Sequence, residues 1–176
     1  MKKLCLAALV LVAACSEGGG DEAAKRKAAA DASKTLQLLP GQWESTTEVT
    51  KVTQQDKAAR PAIDTPAGTK STASVCLTEA DVKNPPASLL AGSDAYRCRS
   101  NNMYVSGGTL NTSLECSRKG LNGVVRMSIA GSYTADTIEA DQDLSTFLTG
   151  DGDANITSKL TARRTGECTA AAGKAA

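Results

Sequence analysis

The 176-residue sequence contains no histidine. This absence removes the Ser-His-Asp triad, the cysteine–histidine pair and metal sites built on imidazole. Catalysis by carboxylates remains possible, because it needs only aspartate and glutamate. Aromatic side chains number only five, so aliphatic residues and alanine must fill the core. We therefore expect a protein that is not an enzyme and uses no cofactor.

The sequence also lacks a basic surplus and a long apolar run. Removal of the predicted export signal takes Lys2 and Lys3 from the 20 basic residues and leaves 18 against 19 acidic residues. This balance cannot neutralise a phosphate backbone, so we expect no nucleic-acid partner. The apolar run that ends at Cys15 has twelve residues, whereas a membrane-spanning helix needs roughly 20.

The amino terminus is typical of an export signal that ends at a lipidated cysteine. Two lysines precede the apolar run, which finishes in Val-Ala-Ala-Cys at residues 12–15. This ending resembles the lipobox of bacterial lipoproteins. In those proteins the cysteine receives a diacylglyceryl group, the signal is removed, and the new amine is acylated, commonly with palmitate. We predict a signal peptide over residues 1–14 and lipidation of Cys15, which would be the membrane contact. The alternative is an ordinary signal peptide with an incidental cysteine.

The residues after Cys15 bear on location. In gram-negative lipoproteins an aspartate at the next position often accompanies retention in the inner membrane, and here that residue is Ser16. We therefore expect the periplasmic face of the outer membrane, with the inner membrane as the alternative. Residues 15–37 are rich in alanine, lysine and acidic residues and lack a repeating apolar face. They predict a flexible or helical tether with a reach of about 25 Å.

Residues 38–168 show the period-two alternation of antiparallel strands. We predict a mainly β domain, a single antiparallel meander sheet of about seven strands that is curled or partly barrel-like. One short helical turn is expected to open at the capping-box sequence of residues 78–81. Residues 54–68 predict a long mobile loop, and residues 169–176 a disordered tail.

Four cysteines follow the export segment, and an even number in an exported chain predicts two disulfides. A four-cysteine zinc site is the alternative, but no two of them are closely spaced. Their pairing follows from a hairpin of strands 96–105 and 109–117 around the three-residue loop 106–108. With Val105 opposite Thr109, three further pairs fall opposite each other: Tyr104 and Leu110, Arg99 and Glu115, and Cys98 and Cys116. Opposed Cα atoms lie about 4.5–5.5 Å apart, so this register predicts Cys98–Cys116 and leaves Cys76–Cys168.

The last two strands, 138–148 and 154–164, also have a predicted register. Pairing Leu148 with Ala154 places Leu144 opposite Ser158 on the inner face. On the outer face it gives two pairs of opposite charge, Asp143 with Lys159 and Glu139 with Arg163.

Four groups of residues could form a site, and each also has a structural explanation. Asp151, Asp153 and Asn155 have the spacing of calcium ligands, but Ile156 and Ala162 occupy the Gly and Glu positions of an EF-hand loop, and a hairpin turn explains the pattern. The carboxylates of Glu139, Asp141 and Asp143 could act as acid and base, or form a solvated sheet face. Trp43 could be a recognition residue or a core residue. Arg163 and Arg164 could bind an anion or pair within the sheet.

Landmarks spread along the chain resemble one protein family. They are Pro-Gly-Gln-Trp-Glu at 40–44, Cys-Leu-Thr-Glu-Ala-Asp at 76–81, Cys98, Cys116, Gly-Ser-Tyr at 131–133 and Arg-Arg-Thr-Gly-Glu-Cys at 163–168. In this order they resemble domain-of-unknown-function family 3617, exported and often lipid-anchored proteins of gram-negative bacteria. The resemblance implies no established activity and no functional residues. Members often have a Met- or Pro-rich stretch after the first strand, and residues 54–68 here lack methionine.

Three functions are compatible with the sequence. The first is a non-catalytic module that docks an envelope protein. The second is a carrier of a small apolar ligand, which would need a concave apolar pocket of about 300 Å³ or more. The third, an enzyme of unknown type, is disfavoured by the absence of histidine.

Overall fold

The chain is described here by a computed structural model that covers residues 36–168. The predicted signal peptide (1–14), Cys15, the tether up to residue 35 and the tail from residue 169 lie outside the described residues. Seven strands form one sheet, with a 3-10 turn and a short helix between the second and third. They are β1 (Gly41–Gln54), β2 (Lys70–Leu77), the 3-10 turn (Asp81–Lys83), α1 (Ala87–Ala91), β3 (Tyr96–Ser106), β4 (Thr109–Arg118), β5 (Gly123–Tyr133), β6 (Thr137–Leu148) and β7 (Ala154–Gly166).

The sheet is antiparallel throughout, with the strand order β2-β1-β7-β6-β5-β4-β3. Strands β3 to β7 form a meander, and β1 closes onto β7 with β2 at its outer side. The sheet curls into a half-barrel whose edges are β2 and β3. The predicted fold class is confirmed.

The core lies on the concave face, where alternate residues of each strand point inward. Trp43 is fully buried there, and its indole N–H donates to the Leu39 carbonyl at 2.9 Å. Leu36 and Leu38 also pack in this core, so the packed domain includes Leu36, which was assigned to the tether from sequence. Several inward positions are polar, including Thr47, which is 5% exposed.

The β3–β4 hairpin has the predicted register at one end only. Cys98 lies opposite Cys116, but Tyr104 lies opposite Asn111 and not Leu110. The prediction of a three-residue loop is wrong: only Gly107 and Gly108 connect the strands, both with positive φ, as in the two-residue turns that suit the twist of a hairpin. A bulge between residues 100 and 102 absorbs the one-residue difference.

The predicted register of β6 and β7 is also wrong, by two residues. Lys159 lies opposite Asp141, not Asp143, and Arg163 lies opposite Thr137, not Glu139. On the inner face Leu144 faces Ile156 rather than Ser158. The cause is the connection, because Asp153 accepts hydrogen bonds from the Thr146 hydroxyl (3.0 Å) and the Leu148 N–H (2.9 Å) and widens the turn. A shift of two residues keeps every side chain on its predicted face.

Both disulfides have the pairing that the strand register predicted. Cys98 and Cys116 join β3 to β4, with Cα atoms 4.0 Å apart. Cys76 at the end of β2 joins Cys168 beyond β7, with a Cα separation of 5.4 Å. The second bridge ties the β2 edge to the carboxy-terminal end of the described chain.

The segment between β2 and β3 is more helical than predicted. The Thr78 N–H and hydroxyl donate to the Asp81 carboxylate at 2.9 and 2.6 Å, as expected where the 3-10 turn begins. Pro85 and Pro86 end that turn, but Pro86 then precedes α1, which the sequence did not reveal. Within residues 36–168, neither helical segment has the length and apolarity needed to cross a membrane.

Candidate functional site

The concave face of the half-barrel is occupied by α1. Leu89, Leu90 and Ala91 of this helix are buried against the sheet. The Gln142 side-chain amide on β6 donates to the carbonyls of Leu90 (3.1 Å) and Ala91 (3.3 Å). These two carbonyls belong to the last turn of the helix, and no further turn follows whose N–H groups could donate to them. Gln142 of the sheet therefore supplies hydrogen-bond donors to the carbonyls at the end of the helix, and the helix in turn fills the concave face.

The end of α1 is held just as closely by Gly92. Its carbonyl accepts hydrogen bonds from the hydroxyls of Thr47 (3.1 Å) and Ser71 (3.2 Å). The residue has φ +63°, and a Cβ atom there would lie 2.0 Å from the Thr47 hydroxyl oxygen. Only glycine can end the helix in this position.

The predicted long loop is present as residues 55–69, and hydrogen bonds join it to the turn between β6 and β7. Asp56 accepts hydrogen bonds from the backbone N–H groups of Gly152 (2.6 Å), Asp153 (2.8 Å) and Ala58 (3.0 Å). These donors, Ala58 foremost, lower the pKa of the Asp56 carboxyl from 3.8 to about 2. Further along the loop, Ile63 is 2% exposed and belongs to the core. The loop thus covers the rim of the concave face.

A cavity of about 120 Å³ remains between the helix, the loop and the sheet. Its walls combine aliphatic side chains with hydroxyls, one amide and one guanidinium. The lining residues are Thr47, Val49, Thr65, Ser71, Ala91, Ser93, Ala95, Tyr96, Arg118, Gln142, Leu144, Ile156 and Ser158. Burial raises the pKa of the Tyr96 hydroxyl, and the neighbouring Arg118 partly opposes this effect. The cavity is well below the size of a typical ligand pocket, about 300 Å³.

The convex face carries a groove of about 350 Å³ across β3 to β6. Its floor is made of small or short side chains on β4 and β5, including Asn111, Ser128 and Ala130. Tyr104, which is 63% exposed, lies at the β3 side of the groove, and Asp141 lies at the β6 side. The two sides are three strand spacings apart, or about 14 Å.

A single row of paired residues crosses the whole sheet at this level. From edge to edge it is Lys70, Glu48, Lys159, Asp141, Ala130, Asn111 and Tyr104. Its charged half alternates in sign, with ion pairs between Lys70 and Glu48 (3.2 Å) and between Lys159 and Asp141 (2.5 Å). The uncharged members of the row, Ala130, Asn111 and Tyr104, form part of the groove. The series of alternating charges therefore ends at the Asp141 carboxylate, at the wall of the groove.

The groove lining is acidic. Asp141 and Asp143 line it, and none of its lining residues is basic. Asp143 accepts a hydrogen bond from the Thr157 hydroxyl at 2.9 Å. Both aspartates are exposed, so they lack the enclosed surroundings of an acid–base pair and can meet a solvated cation.

Of the other residues singled out from sequence, Trp43, Asp153 and Arg164 have structural roles, whereas Asp151 and Arg163 are exposed. Asp153 is bound within its turn, Asp151 is exposed, and residues 36–168 contain no group of three or more acidic or cysteine side chains placed to hold a metal. Trp43 is a core residue. Arg164 donates to the Pro40 carbonyl at 2.6 Å and pairs with Glu167, whereas Arg163 is exposed.

Sequence reasoning did not find the groove or the cavity. The groove depends on which small residues are aligned across four strands, and the register of β3 was wrong near Tyr104. The cavity depends on α1, whose five residues are too short to give a helical period. The available signal is the set of inward-facing hydroxyls, such as those of Thr47 and Ser158, which does not by itself locate the cavity.

Comparison with known proteins places the chain in one family. Residues 38–168 match the family described as "Protein of unknown function (DUF3617)". The match covers most of the chain, and the protein belongs to this family. Searches of curated proteins and of solved structures gave no significant match.

Proposed function

We propose that this protein is a non-catalytic lipoprotein of the bacterial envelope that docks a partner protein through its convex groove. The anchor would be lipid on Cys15, and the domain would face the periplasm from the outer membrane. The lipobox-like ending at residues 12–15 supports the anchor, and the two disulfides support an oxidising compartment. The observation that carries the docking function is the groove between Tyr104 and Asp141 on the convex face.

The occupant we infer is an exposed protein segment that carries a lysine or arginine. Two carboxylates and no basic residue line the groove. Asp141 is paired with Lys159 at 2.5 Å, but Asp143 has no basic partner within residues 36–168, so a basic side chain in the groove would be electrostatically matched to it. The exposed ring of Tyr104 can stack on the same cation. Phe147, 51% exposed, is a second aromatic residue on the convex face, with the Arg126 guanidinium 5.0 Å from its ring centre. Exposed aromatic residues are enriched where proteins bind one another.

The concave face supports docking over the carriage of a bulky apolar ligand. There α1 and Ile63 of the loop occupy the space that an apolar carrier would leave open. The non-catalytic part of the proposal rests on the missing histidine and on the open, solvated position of the three carboxylates on β6.

Site-specific crosslinking in the intact envelope tests this function. A photoreactive residue at Asn111, on the groove floor, should give a discrete crosslinked product that the same residue at exposed Thr161 of β7 does not give. The double change Asp141→Asn and Asp143→Asn should lower the yield of that product by roughly two- to thirtyfold, the effect of two solvent-exposed charge pairs.

Glu139→Gln is the matched control, because this carboxylate lies on the same strand face but outside the groove. It should leave the product unchanged. Identical products from positions 111 and 161, or a product that ignores loss of both aspartates, would refute docking at this groove. The anchor is tested by Cys15→Ala, which should move the protein from the outer-membrane fraction to the soluble periplasm.

A further inference from the structure

The 120 Å³ cavity under α1 holds one ionisable pair and no acid. Arg118 lies at its wall, where a guanidinium N–H donates to the Tyr96 hydroxyl at 3.3 Å and the guanidinium carbon lies 5.4 Å from the Tyr96 ring centre. In the described part of the chain Arg118 has no carboxylate partner. Arginine is always charged and offers five donors, so most of its hydrogen-bonding capacity remains open.

A second polar group faces the cavity without a partner. Ser158 on β7 lines it and is only 4% exposed. Its hydroxyl makes no hydrogen bond within residues 36–168, although buried hydroxyls are normally satisfied. Gln142, also 4% exposed, uses its amide N–H groups on α1, which leaves its carbonyl oxygen for the cavity.

The opposite part of the lining is aliphatic. Val49, Leu144 and Ile156 come from β1, β6 and β7 and close this side of the cavity. A partly open site with a cation, a free hydroxyl and a short apolar wall matches a molecule with one anionic end and one short hydrocarbon end. The volume equals that of about four water molecules in the liquid, or of an organic acid with about six non-hydrogen atoms.

We propose that this cavity binds a short-chain monocarboxylate such as butyrate, with the carboxylate at Arg118 and Ser158 and the hydrocarbon end against Leu144 and Ile156. This site is on the face opposite the docking groove and is independent of the proposed docking function. The cavity size sets the ligand length, because α1 and the loop leave no room for a long chain. The Arg118 guanidinium sets the chemical class of the ligand, because a neutral molecule would leave this cation without a negatively charged partner.

Calorimetric titration of the membrane-extracted protein in detergent, with sodium butyrate as the probe, tests the site. We expect saturable one-to-one binding, with 1-butanol and hexanoate binding at least tenfold more weakly than butyrate. Arg118→Gln should weaken butyrate binding by roughly tenfold to a hundredfold, the effect of losing a charged hydrogen bond. Arg126→Gln is the matched control, because this arginine lies on the convex face over Phe147, and it should not change binding.

Ser158→Val provides a second variant that keeps Arg118 but fills the cavity. It should abolish butyrate binding without lowering the melting temperature. Equal binding of butanol and butyrate, tighter binding of hexanoate, or unchanged binding in both variants would overturn the proposal. A titration with no saturable heat would show that the cavity holds only water and would overturn it as well.

Discussion

Gln142 offers the sharpest test of how α1 is held in the half-barrel. Its side chain is 4% exposed, and its amide donates to the Leu90 and Ala91 carbonyls. Gln142→Met keeps the length of the side chain but removes the donor. A buried carbonyl left without a partner costs about 1–3 kcal/mol. The two carbonyls share one amide group, so we expect a total loss of about 1–3 kcal/mol in the free energy of unfolding.

Urea unfolding followed by circular dichroism measures this loss. For a domain of this size the melting temperature should fall by roughly 3–6 °C per kcal/mol. Gln142→Glu should also destabilise the fold at pH 7, because a carboxylate cannot donate to the helix carbonyls. Its deficit relative to the wild type should shrink as the pH falls, because protonation restores one donor.

The control for this series is Asp143→Asn, the neighbouring residue on the solvated face of β6. It should change stability by no more than about 0.5 kcal/mol. If Gln142→Met is as stable as the wild type, α1 is not held by this contact. The account of a concave face filled through specific hydrogen bonds would then be wrong.

Two further predictions concern stability. The Asp56 carboxyl has its pKa lowered to about 2, so its contribution is fully present above pH 3.8 and is lost as the pH falls through about 2. Asp56→Asn should lack this part of the acid dependence, and acid titrations of the two proteins with identical slopes below pH 4 would contradict the contact. Of the disulfides, Cys76–Cys168 spans 92 residues and Cys98–Cys116 spans 18. Replacing the first pair by serines should cost about 4–5 kcal/mol and the second about 3 kcal/mol in the chain-entropy model. Urea midpoints in the reverse order would contradict that model here.

The sequence predicted the structure correctly where a residue pattern was compatible with only one arrangement of the strands. The inward and outward faces of β1 and β4 to β7 followed from alternation, because a side chain must point to one face or the other. Cys98 and Cys116 were placed opposite each other by counting from Val105 and Thr109, and the bulge in β3 compensates for the shorter turn, so that Arg99 with Glu115 and Cys98 with Cys116 pair as predicted. These are local constraints that need no knowledge of the rest of the chain.

The sequence led to a wrong prediction where two strand registers were compatible with the same residue pattern. Lys159 meets a carboxylate on β6 in either register, Asp141 or Asp143, so opposite charge could not decide between them. The bulge in β3 cannot be recognised from the sequence, because Asn101 is also compatible with a regular strand. Pro86 stops one helical turn and precedes the next, and only the fold of the sheet around Gly92 shows that a helix follows.

Native mass spectrometry of the membrane-extracted protein tests most directly whether the concave face is filled by the protein's own residues, those of α1 and Ile63. We expect any adduct that is lost on unfolding to be no larger than a short carboxylic acid, whereas covalent lipid on Cys15 stays through unfolding. A reproducible lipid-sized adduct that disappears on unfolding would contradict it. That result would mean that α1 and the loop move aside for a bulky apolar ligand and that the protein is a carrier.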